Sequence, residues 1–177
     1  MQPLSSFLDT LSERTGQYVA WLAITMVVLQ FSLVVARYLF GVTAVMLDES
    51  LLYMHGTLFL VAAGYTLKHG AHVRVDLVYR DASPRARSMV NLAGGLLFLV
   101  PLCLWTLWSG FPFVDAAWQS QEGSQETSGL PFLYVYKGVI LVFAVLLLLQ
   151  AISESLKACL SLSGKLVDTE DDDALAL

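Results

Sequence analysis

Apolar residues in this chain come in four long blocks, at about 18–39, 51–68, 89–112 and 131–153, and short polar stretches separate them. At ~1.5 Å of rise per residue a helix of about 20 residues crosses a ~30 Å hydrocarbon core. The pattern therefore predicts an all-α integral membrane protein with four transmembrane helices. Residues 1–17 read differently. Leu4, Phe7, Leu8 and Leu11 recur at helical spacing opposite Ser5, Asp9 and Ser12, which predicts a short N-terminal amphipathic helix lying on the membrane surface. The block after it is too long for a signal h-region, follows no strongly basic stretch, and leads into Arg37 rather than a small-residue cleavage site, all of which argues against a cleaved signal peptide. Ser83 followed by Pro84 marks the start of the third helix, as N-cap and first helical residue, and Pro101 predicts a kink within it. Residues 1–160 make one membrane domain. The segment 161–177 carries Asp168, Glu170, Asp171, Asp172 and Asp173 with no apolar periodicity, and is expected to be a disordered acidic tail.

Charge fixes an expected orientation. Of the ten basic residues, Arg14, the five between Lys68 and Arg87, Lys157 and Lys165 fall on one side of the four-helix plan, and the two opposite loops hold none. By the positive-inside rule both termini are expected in the cytoplasm. The net charge of -5 owes much to the tail. The body is close to neutral and gives no support to nucleic-acid binding. Cys103 lies in an apolar run and Cys159 beyond the last one, a poor arrangement for a disulfide or metal.

Several polar residues near the membrane call for partners. Arg37 is costly in hydrocarbon unless it snorkels or pairs. Asp48 and Glu49 lie across a short turn, so two readings stand: a salt bridge from Arg37 to Glu49, or snorkelling to the headgroups. Lys137 lies in the outer third of the fourth span, where its stem can carry the charge outward. On the second helix Glu49, Tyr53, Gly56, Leu60, Ala63, Gly64 and Leu67 share a stripe whose small residues permit close helix approach, either inside the chain or against another subunit. His72, Arg74 and Asp76 alternate just past that helix, either as an ordinary lipid-facing basic loop or as a specific polar ladder. A histidine inside a span raises the possibility of a haem ligand, as in the anchor subunits of redox enzymes. Only His55 qualifies, with no histidine on the third and fourth helices to complete a pair, so a packed or hydrogen-bonded His55 is the better expectation. No catalytic triad, phosphate loop or metal-ligand cluster is visible, so neither enzyme activity nor a cofactor is expected.

In their order and spacing, Arg37-Tyr38-Leu39-Phe40-Gly41, the acidic Asp48-Glu49, Ala62-Ala63-Gly64-Tyr65, His72-Val73-Arg74-Val75-Asp76 and Ser83-Pro84-Arg85 resemble the small membrane subunit (DctQ-like) of tripartite ATP-independent periplasmic, or TRAP, transporters. The resemblance covers roughly Tyr18 to Leu160. Many members carry a proline within the fourth helix, and this chain has none from Phe132 to Gln150. The resemblance implies a scaffold subunit of a secondary, ion-gradient-driven importer of an organic solute, with organic acids as the favoured class. It implies a large membrane subunit carrying the substrate and sodium sites, and a periplasmic solute-binding protein. On that footing Arg37, Glu49, Tyr53, Gly64, His72, Arg74, Asp76 and Lys137 are expected to serve structure or subunit contact. The alternatives are a membrane anchor for a redox enzyme, and a small transporter that works alone.

Overall fold

The computed structural model describes residues 2–72 and 82–163. These form helices α1 (Gln2–Phe40), α2 (Val45–Val61), α3 (Ala63–Lys68), α4 (Pro84–Gly94), a π-helical turn (Gly95–Leu99), α5 (Val100–Gln119) and α6 (Leu133–Leu162). The described residues contain no strand. Four helical units are long and apolar enough to cross a membrane: Pro3–Phe40, Val45–Lys68, Pro84–Gln119 and Leu133–Leu162. Of the expected tail at 161–177, residues 164–177 lie outside the described residues, as do Arg74 and Asp76, while Ser161 and Leu162 still belong to the last helix.

The core is built around α6, which packs against every other helix. A third of its most apolar window, 33%, is buried, against 6% for each of the other three spans. Ala144, Gln150, Ala151 and Ser153, with Leu147 among them, give α6 a narrow inner face of mostly small and polar residues. Where hydrocarbon surrounds the bundle, burying apolar area between helices gains little. Close packing through small side chains and interhelical hydrogen bonds supplies the association instead. Without an internal proline, α6 is one unbroken helix of 30 residues.

One expectation from sequence is corrected at the N-terminus. No separate surface helix exists there, because α1 runs without interruption for 39 residues. Within it Ser5, Leu8 and Ser12 are buried while Leu4 and Phe7 are exposed, so the polar stripe faces the bundle. A polar stripe on a membrane-protein helix can face inward when a neighbouring helix offers hydrogen bonds, and α6 does so here.

Ser83 caps α4, its hydroxyl accepting from the Ala86 N–H, with Pro84 at the first helical position. The irregularity expected at Pro101 takes the form of the π turn just before it. Proline lacks an N–H and its ring crowds the carbonyl four residues earlier. That residue, Leu97, lies inside the π turn, so the widened turn absorbs the conflict.

Candidate functional site

Charged and polar side chains gather at the two ends of the bundle, and each end is stapled differently. At the end that carries the 41–44 and 120–132 connections, the Arg37 guanidinium pairs with Asp48, Nη2 to Oδ2 at 3.1 Å, with both side chains about half exposed. The pairing partner expected from sequence was Glu49, and this is corrected. Glu49 accepts from the Ser124 hydroxyl and the Leu130 N–H. One helical position separates the two acids and turns them by about 100°, so Asp48 faces α1 while Glu49 faces the long connection and anchors it to the start of α2. Lys137 donates to Glu122 at 2.6 Å and lies 4.4 Å from the centre of the Phe113 ring. Its charge is met within the chain by a carboxylate and an aromatic face, where the sequence suggested escape to the headgroups.

The stripe on α2 and α3 turns inward. Tyr53 stacks on Tyr136 of α6 with ring centres 4.6 Å apart and planes 3° from parallel. Gly56 lies against the hydroxyl end of Tyr136, where a Cβ would overlap it unless the tyrosine moved. Gly64 is buried, and a Cβ there would meet the Leu146 carbonyl oxygen at 3.4 Å and the Ser12 hydroxyl at 3.6 Å. Of the two readings left open for this face, the one these contacts match is packing within the chain.

At the opposite end lies a network that the reading of the sequence missed. Ser12 donates to Gln150 Oε1 at 2.6 Å, and Gln150 Nε2 donates to Asp9 at 3.0 Å and to Glu154 at 2.9 Å. Ser153 donates to Asp9 at 2.8 Å. Lys157 bridges Asp9 and Glu154, each at 2.8 Å. Gln150 and Ser153 are fully buried, and every hydrogen bond they make joins α6 to α1 or to its own next turn. Beside this network Glu13 takes Lys68 at 2.6 Å and His69 at 2.9 Å, fastening the end of α3 to α1. A signal was present in the sequence: Ser5, Asp9 and Ser12 repeat at helical spacing, as do Gln150, Ser153 and Lys157. Two polar stripes of equal length at the two ends of a membrane chain are natural partners.

The remaining expected residues stand apart. His72 is exposed beyond the end of α3. His55 is neither buried nor hydrogen-bonded, a third correction: it is exposed, and no side-chain hydrogen bond or ion pair joins it to the other described residues. Cys103 is buried, Cys159 is exposed, and both are free thiols.

The sequence pattern of the DctQ component of tripartite ATP-independent periplasmic transporters matches residues 26–160. The chain belongs to this family. Similarity also extends to the C4-dicarboxylate TRAP transporter small permease protein DctQ of Vibrio cholerae serotype O1, with 27% identity over 135 residues, 73% of this chain and 56% of that protein. The chain thus matches little more than half the length of that relative. No solved structure matches it. The chain is a multi-pass membrane protein of the TRAP small-permease family. The match opens at Met26, inside α1, so the polar first turns that meet α6 precede the matched region.

Proposed function

We propose that this chain is the scaffold subunit of a TRAP importer, holding a large membrane subunit in position in the bacterial inner membrane while a periplasmic binding protein delivers the solute. The observation that carries this reading is how the carboxylates are used. Asp9, Glu13, Asp48, Glu49 and Glu122 engage cations or donors at the ends of the bundle and join helix to helix or helix to loop, and Glu154 meets Gln150 and Lys157 of its own helix. Carboxylates that carry ions through a membrane belong on a path near the midplane, whereas these act as staples. Substrate recognition and coupling to a sodium gradient are assigned to the large subunit. The solute is an organic acid, a class supported by the C4-dicarboxylate named for the Vibrio relative. Both termini lie in the cytoplasm, as the basic residues on that side require.

Reconstitution tests the reading. Liposomes holding this chain alone take up no labelled dicarboxylate, and liposomes holding both membrane subunits do so when binding protein and a sodium gradient are supplied. Uptake by this chain alone would defeat it, as would a substitution in this chain that leaves assembly intact and changes which solute is carried. Topology is tested separately: a cysteine at Gln121 is labelled by an impermeant reagent from the periplasm and one at Ser83 is not.

A further inference from the structure

The Arg37–Asp48 pair sets the register of two antiparallel helices, and that register exposes an unmet need deeper in the membrane. Gln30 lies seven residues before Arg37 on α1, and His55 lies seven residues after Asp48 on α2. Seven residues are almost two full turns. Gln30 and His55 therefore share the helix faces of the pair, at one common depth about 10 Å further in. Both are exposed, and neither has a hydrogen bond or ion pair among the described residues. One turn to either side, Val27 and Val34 on α1 and Leu52 and Phe59 on α2 are exposed apolar residues, so the polar level is bounded above and below by hydrocarbon-like surface.

We propose that this α1–α2 seam receives a transmembrane helix of the large membrane subunit, one carrying a hydroxyl or amide side chain at the level of Gln30 and His55; the proposal rests on the scaffold reading above. Lipid tails fit the apolar shoulders but cannot satisfy an amide or an imidazole, and unsatisfied polar groups are costly in hydrocarbon. A bond between Gln30 and His55 would use only part of their capacity, because the amide offers two donors and an acceptor and the imidazole one of each. A side chain that both donates and accepts satisfies what remains. Interhelical bonds from glutamine and histidine are a recurrent means of helix association in membranes. Headgroups are excluded by depth, since His55 is about 10 Å along the helix from Asp48 and about 20 Å from Lys68.

The test co-expresses the full chain with its large subunit. It compares the unsubstituted chain with Gln30→Leu, His55→Leu, the double variant, and Trp108→Leu, an exposed position on α5. The double variant is expected to lower recovery of the large subunit at least tenfold, each single variant less, and Trp108→Leu not at all. The melting temperature of the isolated chain stays unchanged in all of them. A photo-crosslinking residue at Val34 or Leu52 captures the large subunit. Unchanged recovery with the double variant overturns the proposal, and so do crosslinks confined to lipid or to a second copy of the chain. A fall in the melting temperature of the isolated double variant that accounts for the lost recovery also overturns it, showing that Gln30 and His55 serve each other. If the unsubstituted chain recovers no large subunit, the scaffold reading fails, and this seam with it.

Discussion

The two polar sets on α1 make opposite use of the same helix. Near its start, Ser5, Asp9 and Ser12 turn inward and meet Gln150, Ser153 and Lys157 of α6 in a network closed within the chain. Near its far end, Gln30 faces outward with His55 of α2 at the same level, and the chain supplies neither with a partner. The first set holds an ion pair, Asp9 with Lys157, and the second has none, but each carries an amide whose hydrogen bonds have to be met. The difference that matters is whether the chain itself supplies those bonds. A closed network holds a fold together, and an open pair leaves hydrogen bonds for something outside it.

The largest effect that could break this contrast is at Asp9. Asp9→Ala leaves Lys157, Gln150 and Ser153 without their shared acceptor, and should cost about 3 kcal/mol, as expected when one partner of a partly buried charged network is removed. Chemical unfolding of the purified chain in detergent measures it, and a loss near zero would mean the network is not what joins α1 to α6. Next comes the packing of α2 and α3 on α6. Gly56→Val drives a side chain into Tyr136 and should cost about 2 kcal/mol, in the range of overpacked cores. Gly64→Ala meets the Leu146 carbonyl oxygen at ordinary contact distance and should cost about 1 kcal/mol or less. Equal losses at the two glycines would contradict the fit seen at Tyr136.

The Arg37–Asp48 pair is half exposed, so Arg37→Ala should cost no more than about 1 kcal/mol in the isolated chain. Its identity is sharpened by exchange. Arg37→Asp combined with Asp48→Arg should recover most of that loss, while Arg37→Glu combined with Glu49→Arg should not, because Glu49 is committed to Ser124 and Leu130. Thermal melts of the four single and two double variants distinguish the pairings. The smallest effect is expected at the open pair. Gln30→Leu and His55→Leu should each change the stability of the isolated chain by no more than about 0.5 kcal/mol, as for surface positions without partners. A loss comparable to that of Asp9→Ala would erase the distinction between the two sets.

By itself the sequence determined that the chain crosses a membrane in four helices, where they lie, that Ser83 and Pro84 begin the third, and to which family the chain belongs. These follow from local properties: the length of apolar blocks, capping chemistry, and ordered short motifs. Tertiary structure decided what each polar residue faces. An amphipathic pattern at residues 1–17 predicts two faces but not which one is inside, and the answer depended on Gln150 and Ser153 of α6, some 140 positions away in sequence. Asp48 and Glu49 are equally near Arg37 along the chain, and only the rotation of α2 about its axis gave Arg37 to one and the 120–132 connection to the other. The small residues of α2 and α3 are equally suited to an internal or an external contact, and the placement of Tyr136 and Leu146 gave them an internal one. His55 could be inferred from sequence to need a partner in the membrane. That the chain leaves the need unmet is a fact of packing, because hydrogen bonds between helices depend on orientation and depth, which apolar blocks do not encode.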